Sequence, residues 1–225
     1  MGNLLLKTVL GFLFLMAVLA LALFVSAGSL AYWQAYIYLA TFALCTILIT
    51  LYLIRNDQEL LAGRVQVGPV AETQKPQQII QSLASLFFIA LFIVPGLDYR
   101  FGWSHVPVWL SLAANGVAAL GFSIVFLTFR ENQYTRATIE VSDTQQVVTS
   151  GPYRVVRHPM YAGASVLLLA TPVALGSWVA VPFALPVILV VAVRLLDEER
   201  FLTANLPGYS EYCQSVRYHL IPYMW

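Results

Sequence analysis

The sequence predicts an all-α integral membrane protein of about six transmembrane helices, ending in a helical hairpin and a polar C-terminal segment. Three observations carry that prediction. Of 225 residues, 60% are hydrophobic and only 10% charged, where a soluble domain carries about 25% charged residues. The charges fall in short patches between apolar runs of roughly 17–25 residues, the length that crosses a bilayer. Lysine and arginine also alternate with those runs in the way a fixed membrane topology requires. The formal net charge of +1 and the lack of a basic run leave no electrostatic footprint for nucleic acid.

Taken in order, the predicted spans are Thr8–Gly28, Trp33–Ile54, Ile79–Gly96, Val106–Phe129, Pro159–Leu175 and Trp178–Arg194. The first could be read as a secretory leader, with Lys7 before it and the small residues Val25–Gly28 after it. Its apolar run of about 20 residues exceeds the 7–15 of a leader, which favours a membrane helix. The last two spans form a hairpin around Gly176-Ser177, and Pro172, Pro182 and Pro186 are tolerated where neighbours satisfy the freed carbonyls. Twelve lysines and arginines are present, and only Arg100 falls between odd and even spans on the far side. The positive-inside rule then places both termini and the two long polar loops in the cytoplasm.

The polar stretches are Arg55–Gln78, Arg130–His158 and Arg194–Trp225. In the second, Thr138–Val141 and Gln146–Val148 have strand-like character around a Ser142-Asp143 turn. In the third, a helix continuing from span six should break near Pro207-Gly208. Tyr209, Tyr212, Tyr218, Tyr223 and Trp225 suit the headgroup level. Cys45 and Cys213 lie in unlike surroundings with no CxxC and no His/Cys cluster, so neither a disulfide nor a metal site is expected. The spans divide into an N-terminal set of three over residues 1–104 and a core of three over 105–225.

Two polar clusters exceed what membrane anchoring needs. In Ser150–Gly163, SGPYRVVRHPMYAG, Gly151-Pro152 reads as a turn and Pro159 as the first residue of a helix. His158 then sits at a helix N-terminus, whose partial positive charge and free N–H groups favour an anionic ligand, and Arg154 and Arg157 add to that field. In Val191–Arg200, VAVRLLDEER, Arg194 and Glu198 share a helix face. Asp197, Glu198 and Glu199 are three consecutive acids at a membrane exit. An ionisable group there is a functional candidate, though arginine anchoring and a solvated helix end are the plainer readings of both clusters.

Together the clusters read GPYR-x2-RHPMY-x-G, a helical hairpin, R-x3-EE-x2-L, then GY-x-EY and a closing Tyr-x-Leu-Ile-Pro. Over roughly Asn132–Trp225 this order resembles the isoprenylcysteine carboxyl methyltransferase family of membrane methyltransferases. The resemblance implies S-adenosylmethionine as cofactor, held in a membrane-embedded pocket with a cytoplasmic mouth. It implies cofactor contacts at Gln145, Gln146, Val147, Val148, Tyr153, His158, Pro159, Met160, Tyr161 and Glu198. Arg194 matches the catalytic arginine that faces the substrate, and Asn132 a position without an assigned role. The chain departs from the eukaryotic pattern at Thr138, where that pattern carries a glutamine cofactor contact.

The resemblance further implies a lipophilic acceptor entering from the bilayer. A carboxylate such as a prenylcysteine-like C-terminus is favoured, because it is ionised at neutral pH and needs no general base. A thiol or a phospholipid amine is the alternative within the same scaffold. An NADPH-dependent sterol-type reductase and a non-catalytic membrane protein are the readings outside it.

Overall fold

The computed structural model describes residues 2–65, 75–135 and 145–225. Among them the chain forms α1 (Gly2–Ala27), α2 (Trp33–Asn56), α3 (Gln58–Val65), α4 (Lys75–Phe101), α5 (Val108–Glu131), α6 (Pro159–Ala174), α7 (Val181–Asn205) and α8 (Tyr209–Ser215). A 3₁₀ turn, Gly151–Arg154, precedes α6. Three helices, α1, α2 and α5, are long and apolar enough to cross a membrane. They expose large apolar side chains outward, Phe14 by 73% and Leu48 and Leu120 each by 57%. Such a surface suits lipid rather than water. α6 is apolar but has only 16 residues, short of the roughly 20 of a straight crossing.

The structure departs from the sequence pattern in two places. The polar stretch after α2 contains a helix, α3, whose two turns are too short and polar to register in hydropathy. The Asp57 carboxylate accepts the Leu60 backbone N–H at 2.9 Å, as an N-cap residue does, and α3 buries Leu60 and Leu61 against Leu53 and Phe129. Gln146–Val148, expected to be strand-like, forms no strand. Val147 and Val148 instead pack beside Tyr153, Leu206, Tyr209 and Tyr212. Thr138–Val141 and the Ser142-Asp143 turn lie outside the described residues.

α5 packs most extensively on α6, and two glycines set that approach. A Cβ on Gly121 would lie 2.7 Å from the Gly163 carbonyl oxygen, and one on Gly163 would lie 2.7 Å from that of Gly121. Neither position can accept a methyl group without parting the helices. Small residues at such crossings let backbones pack closely where lipid gives no hydrophobic drive. This contact fixes the height of α6, and hence of its first turn, against α5.

The two ends of the bundle differ. At the end where α4 stops and α6 turns into α7, Asp98 is 1% exposed. Its carboxylate accepts the Ser104 backbone N–H at 2.7 Å and the Ser104 and Ser177 hydroxyls. Ser111 donates to the Ala174 carbonyl at 2.6 Å, and the Tyr32 hydroxyl to that of Leu175. At the other end, α2, α5 and α7 run into polar residues, α6 begins, and a cleft opens between them.

Candidate functional site

The first wall of the cleft is the turn before α6. Gly151, at φ +56°, and Pro152 start the 3₁₀ turn. It swings Tyr153 inward, where the Asn132 side-chain amide donates to its hydroxyl at 2.8 Å. Burial, the largest influence, pushes the Tyr153 phenol up to about 12, against hydrogen bonds from Thr135 and Asn132. Tyr212 on α8 donates to the Tyr153 carbonyl at 2.8 Å, fastening the turn to the C-terminal segment.

That segment also braces the entry to α6. The Arg157 and His158 backbone N–H groups donate to the Tyr218 and His219 carbonyls at 2.8 and 3.0 Å. Pro159 is then the first residue of α6, where its missing N–H leaves nothing unpaired. The His158 side chain does not cap the helix. Its Nε2 lies 3.0 Å from Glu199 Oε1.

Glu199 is the hub of a charged cluster behind the cleft. Besides His158, its Oε1 lies 3.2 Å from Arg157 Nε, at ion-pair distance but off the hydrogen-bond axis. Its Oε2 lies 3.1 Å from His219 Nε2. Burial raises the Glu199 carboxyl, but the His158 hydrogen bond and the charges of His158, Arg157 and His219 outweigh it and hold the group below the usual carboxylate range. Burial lowers the His219 imidazole, with Glu199 opposing.

Glu198, one residue earlier on α7, points elsewhere because successive helical residues are about 100° apart. The Tyr161 hydroxyl donates to Glu198 Oε2 at 2.6 Å and accepts from Arg194 Nε at 3.2 Å. One phenol on α6 therefore links the cation and the carboxylate that α7 presents one turn apart.

The structure brings Arg194 and every expected cofactor contact to one open cleft of about 800 Å³, while Arg154, Asp197 and Glu199 do not line it. Gln145, Gln146, Val147 and Val148 form its rim. Tyr153, His158, Pro159, Met160 and Tyr161 line the α6 side, and Arg194 and Glu198 the α7 side. Asn132 lines it too. Thr138 lies outside the described residues.

Sequence reasoning missed several members. Leu202 and Leu206 extend the α7 wall, and Tyr209 and Tyr212 close it from α8. These two tyrosines were expected at the headgroup level but are only 5% and 4% exposed. Gly208, at φ +84°, turns the chain back so that α8 folds over the cleft. Among the described residues the buried Tyr209 hydroxyl has no hydrogen-bond partner. An orphan donor costs about 1–3 kcal/mol unless a ligand satisfies it, which marks the cleft as built for an occupant. The available signal was the GY-x-EY spacing, which puts Tyr209 and Tyr212 on one helix face.

Residues 109–207 match the family model for phospholipid methyltransferase. That segment runs from α5 to the end of α7 and carries the first turn of α6 together with Arg194, Glu198 and Glu199. That stretch is therefore similar to the phospholipid methyltransferases, a family that includes the isoprenylcysteine carboxyl methyltransferases. No curated protein matches the chain.

Proposed function

We propose that this chain is a methyltransferase that uses S-adenosylmethionine to methylate a carboxylate on a lipophilic acceptor. The observation that carries the reading is the Arg194–Tyr161–Glu198 linkage inside one cleft. When bound, S-adenosylmethionine supplies an electrophilic methyl group on a sulfonium, and attack by a carboxylate oxygen forms the C–O bond as the S–C bond breaks, with no proton left to remove.

The residues present fit that cofactor. Glu198 offers a carboxylate to a cation or to hydroxyls. The first turn of α6 offers backbone N–H groups without intrahelical partners to an anion. Val147, Val148, Leu202 and Leu206 give an apolar wall for a base, and the Tyr209 hydroxyl awaits a hydrogen bond. Arg194 would orient the acceptor, placement being the main work of the site. Tyr161 fixes the Arg194 side chain so that little freedom is lost on binding.

A lipophilic acceptor is supported by a chain of cavities. Leu48, Ile49, Tyr52, Phe122 and Phe126 line an apolar groove of about 530 Å³ between α2 and α5. It shares Tyr52 with a more polar cavity, which shares Tyr134 and Val148 with the cleft. We assign α4, α6 and α7 to the membrane beside α1, α2 and α5, with the cleft on the cytoplasmic side. Eleven of the twelve basic residues on that side support this orientation.

A phospholipid amine is the second reading, favoured by the His158–Glu199 pair, which could take a proton. Calorimetry on detergent-solubilised protein tests the cofactor: saturable S-adenosylmethionine binding is expected, and none with NADPH. NADPH binding alone would replace this reading with a reductase. The pH–rate profile then separates the acceptors. A carboxylate gives a flat rate through neutral pH, and an amine gives a rate that climbs as the amine loses its proton.

A further inference from the structure

Past α8 the chain makes a loop over Leu220–Trp225 whose backbone bonds to itself. The Leu220 and Ile221 N–H groups donate to the Trp225 backbone oxygen at 3.0 and 2.9 Å, and the Met224 and Trp225 N–H groups to the Ile221 carbonyl at 3.2 and 3.1 Å. Pro222 has no N–H to satisfy. Rings stiffen the loop against the segment before it. The Tyr218 and Tyr223 ring centres are 5.4 Å apart, and Trp225 stacks on His219 at 4.9 Å. The loop turns apolar side chains outward: Tyr223 is 87% and Met224 80% exposed, and Ile221 is exposed beside them. Tyr223 takes φ +65°, a left-handed conformation rare for an aromatic residue, and such backbone strain clusters at functional segments.

The base of the loop sets its depth. Leu220 forms one buried cluster with Tyr161 of α6 and Leu195 of α7, and Val191 packs against it. On α7 both Val191 and Leu195 precede the acidic run Asp197–Glu199, so the loop hangs on the bilayer side of that run. Val193, between them, is exposed together with Leu185 and Leu189 on one face of the helix. Where water thins out, each unpaired backbone group costs more, and a loop that bonds its own N–H groups suits that boundary.

We infer that the Leu220–Trp225 loop is seated in the cytoplasmic face of the bilayer, with Ile221, Tyr223 and Met224 among lipid headgroups and upper acyl chains, and that this seat holds Leu220 in place behind Tyr161. The seat follows from the orientation assigned above; its effect on the site rests on the methyltransferase reading. Tyrosine joins an apolar ring to a polar tip and fits the headgroup level. Ile221 and Met224 supply apolar area, and Arg217, exposed just before the loop, can meet lipid phosphates. Tyr161 is the phenol that joins Arg194 to Glu198. The residues just before Leu220 give their carbonyls to the entry of α6. Membrane contact and site geometry thus share one stiff piece of chain.

The test puts a nitroxide label at Met224→Cys, with Cys45→Ser and Cys213→Ser, in the full chain in nanodiscs of phosphatidylcholine and phosphatidylglycerol. Its collisions with oxygen and with a water-soluble nickel chelate are compared with those of labels at Leu189→Cys on the lipid face and Glu211→Cys on exposed α8. The label at Met224 should favour oxygen as the one at Leu189 does. Nickel access equal to that at Glu211 overturns the seat. Loss of access to both probes, with spin–spin broadening, makes the loop a contact between two copies and overturns it too. Tyr223→Asp with Met224→Asp should lift the loop into water and raise the S-adenosylmethionine Kd about 3–10-fold, the scale of one lost contact. Tyr223→Phe with Met224→Leu should leave that Kd within about twofold. An unchanged Kd in the aspartate variant overturns the brace behind Tyr161, and the label alone decides the seat if that variant does not fold. Wild type that binds no S-adenosylmethionine, with its label still in lipid, sinks the methyltransferase reading and keeps the seat.

Discussion

Two acid sites, a buried one at Asp98 and a half-buried one at Glu198 and Glu199, sit at opposite ends of one apolar bundle, and they are satisfied in different ways. Asp98 is met by the Ser104 backbone N–H and by the Ser104 and Ser177 hydroxyls. Those donors come from the loop after α4 and from the α6–α7 turn, and they close on the carboxylate. Glu198 and Glu199 are met by Arg194 through Tyr161, by Arg157 and by two histidines. They border an open cleft that also holds an unpartnered phenol. A carboxylate wrapped by short neutral donors ties elements together. A carboxylate in a network of charges beside an empty volume can exchange partners with a ligand.

The sharpest way to break this contrast is Glu198→Ala. S-adenosylmethionine affinity should fall about 100-fold or more, as when one partner of a part-buried charge network is removed. Near-normal calorimetric affinity would take Glu198 out of the site. Arg194→Ala should leave the cofactor Kd within about twofold and cut turnover by about 10²–10³, the scale of losing a positioned cation at the reacting centre. Unchanged turnover would end its proposed role.

Asp98→Asn should do the reverse of both. It sets an amide N–H₂ against groups that donate, at a cost of about 1–3 kcal/mol. A thermal melt should show the loss, while the cofactor Kd stays put. A weakened Kd would mean the two ends are coupled rather than separate.

Acid should loosen the Glu199 cluster in two steps. His219 is held below its ordinary value near 6.5, so its stabilising contribution is complete above that value and fades as pH falls through the lower folded value. Glu199 is held below its ordinary value near 4.5, so its contribution is complete above 4.5 and fades at more acid pH. Melting temperature against pH should drop through both windows in wild type, and His219→Asn should remove the upper drop. The smallest effect is that of Tyr209→Phe. It deletes an orphan hydroxyl, so the unliganded protein should melt no lower, while the cofactor Kd rises about 3–10-fold. A lower melting point with an unchanged Kd would show that the hydroxyl serves the fold.

The long helices were legible because bilayer length and apolar runs are one-dimensional properties. α3 was not, since its stability comes from the Asp57 cap and from Leu60 and Leu61 meeting residues of α2 and α5 that are distant in sequence. The site shows the same split. Arg194, Glu198 and the residues around His158 stand in ordered motifs, and all of them line the cleft. Glu199 was hidden by its neighbour, because two adjacent acids look alike in sequence and part only when a helix turns them to different faces. Tyr209 and Tyr212 read as interfacial aromatics until Gly208 reverses the chain and buries them.

The pairing of Arg157 and His158 with Tyr218 and His219 also sets an order in time. The chain leaves the ribosome from its N-terminus, so the α6–α7 hairpin has been made before the residues that brace the entry to α6 exist. Until Tyr218 and His219 emerge, two backbone donors at the mouth of the cleft and one face of Glu199 have only water or lipid headgroups to meet. Ligand binding is thus a property the nascent chain acquires last. A truncation that stops short of Arg217 would leave a bundle already folded in the bilayer but unable to finish its own doorway.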